Sequence, residues 1–170
     1  MTLTTISIII ATIIYVAYNA IALANFGVPR SLSKTYYLWK EKCNKGYVFQ
    51  LMMFSVVALM MPAWITMSEG SDYQFLAFLA PAAIAFVGGA PAFNKSDLEN
   101  AVHQTSAYSA AAFSIAWIAL VTPYWWMILV WVAIVAILSI WTSTYKSAYI
   151  YWLETVAFGA TFCSTIMYSL

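Results

Sequence analysis

Charge is scarce in this sequence. Only 8% of its 170 residues are Asp, Glu, Lys or Arg, against about 25% in soluble domains. So few charges cannot cover a water-facing surface, which excludes an ordinary soluble fold and makes lipid the solvent for most of the chain. Histidine occurs once, as His103, so the multi-histidine zinc sites of hydrolases are excluded. The two cysteines, Cys43 and Cys163, lie in unlike contexts, one in a charged stretch and one near the end of an apolar run. That excludes a disulfide framework and a cysteine metal site. The net charge of +1 points to neither nucleic acid nor an acidic partner. There is no phosphate-cradling glycine loop, no Gly-x-Ser-x-Gly elbow and no His-Glu-x-x-His. No catalytic residue, metal or cofactor is therefore expected.

What is present is hydrocarbon: 64% of the residues are hydrophobic. A membrane-spanning helix needs about 20 mostly apolar residues, and the chain divides into six such runs, at 3–25, 47–67, 73–93, 99–121, 124–144 and 147–168. The expected fold is all-α, a single polytopic six-helix membrane domain over 1–170. The first run has the apolar core of a signal peptide, but no positive charge precedes it, so it is read as the first membrane helix. Gly27-Val28-Pro29, Glu69-Gly70-Ser71-Asp72 and the stretch from Pro91 to Ser96 supply the breaks. Ser96-x-x-Glu99 has the form of a capping box opening the fourth helix. Thr122-Pro123 suits an N-cap and a first-position proline opening the fifth.

Six spans put Arg30, Lys34, Lys40, Lys42 and Lys45 in the first loop, Lys95 in the third and Lys146 in the fifth. All seven basic residues then face one side, with Glu69 and Asp72 on the other. The positive-inside rule makes the basic side cytoplasmic, with both termini outside, in a bacterial inner membrane. Aromatic residues mark two interfaces. Tyr36, Tyr37, Trp39, Tyr145, Tyr149, Tyr151 and Trp152 form the inner belt, and Trp64, Tyr73, Tyr124, Trp125, Trp126 and Tyr168 the outer one. The first loop, around 31–39, reads as a short amphipathic element lying in the headgroup region.

Small residues recur every fourth position as Ala77, Pro81, Ala85 and Gly89 on the third helix, Ala107 and Ala111 on the fourth, and Thr155, Gly159 and Cys163 on the sixth. Lipid supplies no hydrophobic drive between helices, so close backbone approach must hold them. These three helices are expected to form the tight centre, and such faces also allow a homo-oligomer. Pro62 and Pro81 are expected to kink their helices.

Two ionisable residues fall inside apolar runs. Glu154 lies in the sixth helix and His103 one turn into the fourth, sharing a face with Glu99. An intramembrane carboxylate is costly and should face protein. The expectation is a ligand or proton site of His103, Glu154, Glu99 and Asp97, in a polar pocket on the cytoplasmic half, with Arg30, Ser31, Ser33 and Lys34 at its mouth. The alternative for the pair is interhelical glue.

Val28-Pro29-Arg30-Ser31-Leu32-Ser33 and Val102-His103-x-x-x-Ala107 resemble six-helix membrane proteins of the Frag1/DRAM and DUF998-like type, and small uncharacterised polytopic membrane proteins of bacteria. Those families relate distantly to the alkaline-ceramidase-like membrane hydrolases. The resemblance implies a six-helix bundle with a polar pocket beside the first loop and a lipid-like ligand. The hydrolase branch uses several histidines to hold a metal, so with one histidine that activity does not carry over.

The reading these residues favour is a membrane protein that binds or moves a lipid or small amphiphile, with membrane lipids as its partners. The alternatives are a small oligomeric channel or proton-coupled transporter, and a non-catalytic membrane subunit or assembly factor. The first requires an enclosed cavity opening to the inner leaflet, the second a symmetric assembly or a water path across both leaflets, and the third exposed small-residue stripes and no cavity.

Overall fold

The computed structural model describes residues 2–91 and 96–170. Among the described residues the chain is all helix, with seven helices and no strand: α1 (Leu3–Phe26), α2 (Thr35–Cys43), α3 (Tyr47–Met67), α4 (Leu76–Gly89), α5 (Asp97–Val121), α6 (Met127–Trp141) and α7 (Tyr149–Ser169). Four of them, α1, α3, α5 and α7, are long and apolar enough to cross a membrane. The outer faces of the helices carry bare aliphatic side chains, such as Ile13 and Val16 on α1 and Leu129 and Ile137 on α6. A soluble monomer does not expose such continuous apolar surface. In hydrocarbon it is the expected outer surface, and the protein is a membrane protein.

The third and fifth expected spans shorten. The third contracts from 73–93 to Leu76–Gly89, and the fifth from 124–144 to Met127–Trp141. At 14 and 15 residues they reach roughly 21–22 Å at 1.5 Å per residue, short of a hydrocarbon core of about 30 Å. Pro91, which lacks an N–H and disfavours helix in the residue before it, accounts for the end of α4. Thr122 does not open α6 but closes α5. Its hydroxyl donates to the Ile118 carbonyl at 2.8 Å and accepts from the Tyr124 amide at 3.2 Å. Ser96 does cap α5, accepting from the Glu99 amide at 3.2 Å. The end of the third expected span, at 93, and Lys95 lie outside the described residues. Gly27, at a φ of 66°, turns the chain out of α1 in a conformation a Cβ would strain. The first-loop helix forms later than expected, at α2, after a series of turns over residues 31–34.

Cross-helix bonds fix which ends lie together. The Tyr151 amide donates to the Arg30 carbonyl at 3.2 Å, and Gln50 donates to the Gly88 carbonyl at 3.3 Å. The first loop, the start of α3, the end of α4 and the start of α7 therefore share one end of the bundle. At the opposite end, Thr5 donates to the Ser169 carbonyl at 3.0 Å, and Trp64 to the Thr165 hydroxyl at 3.2 Å. The basic residues of the first loop and Lys146, just before α7, thus gather at one end. Glu69 and Asp72, just after α3, lie at the other.

Of the three helices expected at the tight centre, α4 and α5 pack closely on each other, while α7 stands further off. The largest helix contacts are α4 with α5, and α3 with both α1 and α4; α5 and α7 meet only partly. Small residues here accept large ones. A Cβ on Gly88 would lie 3.1 Å from the Met53 Cβ, while Gly89, on the expected stripe, meets nothing within 4 Å. A Cβ on Gly159 would fall 2.5 Å from the Trp131 ring, so α7 uses its glycine to seat an indole from α6. Gly159→Leu is expected to force Trp131 out and cost about 1–3 kcal/mol. A thermal melt in detergent measures this, and pairing the change with Trp131→Ala should recover part of the loss.

Two residues assigned to the interfacial belts are interior instead. Trp64 is 2% and Tyr151 4% exposed. Trp64 stacks on Trp117 with ring centroids 4.2 Å apart and planes 3° from parallel. The Tyr151 hydroxyl donates to Asn19 Oδ1 at 3.3 Å. An aromatic ring near a helix end serves a belt or a core according to which face it is on, and the helices here are apolar on all faces.

Candidate functional site

The stretch from Pro29 to Thr35 is folded back against α1 and α7 by its own polar groups. The Ser31 hydroxyl accepts from the Lys34 amide at 3.1 Å, a local turn typical of serine before a helix. The Thr35 hydroxyl donates to the Leu32 carbonyl at 2.5 Å. With that one hydrogen used, Tyr18 of α1 must donate to Thr35 in the buried bond between their hydroxyls. On the other side, α7 starts at Tyr149 behind an Ala148 that offers no side-chain cap, and the Arg30 carbonyl supplies an acceptor for the Tyr151 amide instead.

Glu154, inside α7, completes this junction. Its Oε2 accepts the Leu32 amide at 2.5 Å, a charge-assisted type of bond when the carboxyl is ionised. Among the described residues Oε1 has no hydrogen-bond partner. It is therefore open to whatever enters the cavity that Glu154 lines.

That cavity has an empty volume of about 760 Å³, including the part continuous with the outside. It lies among α3, α4, α5 and α7, and Leu32 and Ser33 close one end of it. On α3 its wall runs from Phe49 to Trp64, about 22 Å of helix. The wall is mostly aliphatic and aromatic, and α5 contributes Ala107, Ala110 and Ala111. The small residues expected to bring helices together leave a void between α5 and α7 instead. Among the described residues Glu154 is the one charged group on the wall; its polar companions are Ser33, Ser114 and Thr161. Thr161 is 7% exposed, and its buried hydroxyl has no hydrogen-bond partner. A helical threonine commonly donates to the carbonyl four residues back, as Thr155 and Thr165 do in the same helix. A buried polar atom left unsatisfied is uncommon.

The chain matches no protein-family model, no curated protein and no solved structure.

The expected pairing of His103 with Glu154 is not what holds either side chain. His103 is buried, and its Nδ1 lies 3.0 Å from the Ala90 carbonyl. A carbonyl only accepts, so Nδ1 carries the proton of that bond. The last carbonyls of a helix lack intrahelical donors, and His103 fills this role at the end of α4. It ties the α4–α5 hairpin, while Glu154 ties α7 to the first loop. His103 does not line the cavity; Ala107, one turn on, does.

Asp97 and Glu99 lie apart from this cavity. Both sit in the first turn of α5, where acidic groups suit the helix dipole, and neither lines the cavity. Arg30 is exposed and contributes its backbone carbonyl. The Lys34 ammonium lies 4.9 Å from the Tyr37 ring centre, away from the cavity wall. Ser31 shapes the turn, and its hydroxyl is 3.2 Å from that of Ser33. Of the expected site residues, Glu154 and Ser33 line the cavity. Ser114 and Thr161 were missed, because hydroxyl residues in apolar helices are usually consumed by their own backbone and carry no signal in sequence. Among the described residues no three metal-ligating side chains form a group able to hold an ion.

Proposed function

We propose that this chain is an integral membrane protein that binds or moves a lipid or small amphiphile, held in the cavity among α3, α4, α5 and α7. The observation that carries the reading is the shape and chemistry of that cavity. It is long and apolar, with a carboxyl at one end beside the first loop. The residues that resemble the Frag1/DRAM and DUF998-like proteins fit this proposal, because Leu32 and Ser33 of that stretch close the cavity. A proton relay through His103 and Glu154 loses its support, since each is engaged by backbone of a different element.

The test is native mass spectrometry of the purified protein released from detergent. The expected result is a retained lipid-sized adduct that disappears in Ala111→Phe, which fills the cavity, while the melting temperature is kept. An adduct of equal occupancy in both proteins would refute the reading.

The membrane arrangement belongs to the same proposal: six crossings, both termini on the non-cytoplasmic side, in a bacterial inner membrane. The gathering of the described basic residues at one end supports it. Turns at 73–75 and 124–126 extend the short α4 and α6, and local bilayer thinning accommodates the remainder. The polar end of the cavity then lies on the side of the cytoplasmic leaflet. Cys43 is exposed beside the basic residues. In a Cys163→Ser background, a membrane-impermeant maleimide is expected to label Cys43 in inside-out vesicles and not in intact cells. Labelling in intact cells would reverse the orientation.

A further inference from the structure

The cavity holds a carboxyl oxygen without a partner, and among the described residues no Lys, Arg or His lines its wall. From this we infer the headgroup class of the ligand: a single-chain amphiphile whose head donates hydrogen bonds, an aliphatic amine or alcohol, with its donor on Glu154 Oε1. The inference rests on the amphiphile-binding reading above and narrows it.

The argument is one of complementarity in a medium of low dielectric. A charged or polar head drawn into an apolar cavity loses its water and must regain those bonds from the protein. Glu154 offers an acceptor, already oriented by the Leu32 amide on its other oxygen. An ammonium placed there forms a charge-assisted bond, the stronger kind, and a hydroxyl forms a neutral one. A fatty acid or phosphate head would bring a second anion against the first with no described cation on the wall to balance it. Two carboxylates sharing a site cannot both stay ionised. Arg30 and Lys34 do not supply the missing charge, since neither lines the cavity. The apolar wall along α3, about 22 Å long, suits one extended alkyl chain.

The experiment uses the full-length protein in nanodiscs of a zwitterionic phospholipid, with radiolabelled hexadecylamine as probe and Ala111→Phe as the filled-cavity control. Unlabelled hexadecylamine and hexadecanol are expected to displace the probe from the wild type at least about tenfold better than hexadecanoic acid does. Glu154→Gln, which keeps an acceptor oxygen and one chain length, is expected to weaken hexadecylamine at least tenfold while hexadecanol changes less. If hexadecanoic acid competes as well as the amine, the headgroup assignment is overturned and the cavity reading stands. If the wild type binds hexadecylamine no better than Ala111→Phe does, while the adduct of the previous test is present, the assignment falls alone. If the adduct is absent as well, both readings fall.

Discussion

Trp117→Ala is expected to be the most destabilising single change in the bundle. Trp117 is 0% exposed, stacks flat on Trp64, and donates its indole N–H to the Ser68 hydroxyl at 2.7 Å. Trp64 extends the chain of contacts to Thr165 of α7. One indole pair therefore joins the ends of α3, α5 and α7, opposite the first loop. Truncating a core tryptophan in a soluble protein costs about 3–5 kcal/mol, partly for transfer from water and partly for the void left behind. In a lipid-embedded bundle the transfer part shrinks, because lipid also solvates the side chain. The void and lost contacts remain, so roughly 2–3 kcal/mol is expected. Trp117→Phe keeps much of the stacking and gives up the bond to Ser68, worth about 0.6 kcal/mol on average between membrane helices. Unfolding by dodecyl sulfate titrated into mixed micelles measures both. Equal losses in the two variants would show that the hydrogen bond, not packing, carries the junction.

Glu154→Leu is the second large effect, and it separates the structural half of Glu154 from its binding half. The change leaves the buried Leu32 amide without its acceptor, at a cost of about 1–3 kcal/mol. The loss is expected to be local. Amide exchange should accelerate over residues 31–35, while the Trp64–Trp117 end, held by separate bonds, keeps its protection. Glu154→Gln retains an acceptor for Leu32 and should exchange like the wild type. Uniform acceleration throughout the bundle would show that the junction is part of the global fold rather than a local latch.

How far residues could be read from sequence depended on what decides their position. Lipid cannot bond a peptide group, so every backbone bond in the apolar runs must close within its own helix. The starts of α3 and α5 and the end of α1 were accordingly legible from hydropathy and capping residues such as Ser96 and Gly27. The short α4 was less so, because Tyr73 and Phe75 before it and Ala90 and Phe93 after it carry the apolar run past its ends. Glu154 was legible as an inward-facing carboxyl because the cost of facing lipid leaves no other choice. Its partner was not. His103 and the Leu32 amide were both candidates, and the choice turned on the free carbonyl of Ala90 beside His103 and on the fold-back of Pro29 to Thr35.

Composition and hydropathy alone determined that this chain lives in lipid, that it is helical, and that its basic residues lie between particular helices. Those properties follow from the solvent each segment requires, which is a sum over local residues. Where the small residues lead was decided only in three dimensions. Gly159 seats Trp131, Gly88 admits Met53, and Ala107 and Ala111 border an open cavity. A residue with little or no side chain specifies only the room it leaves, and what fills that room depends on which distant helix is packed against it.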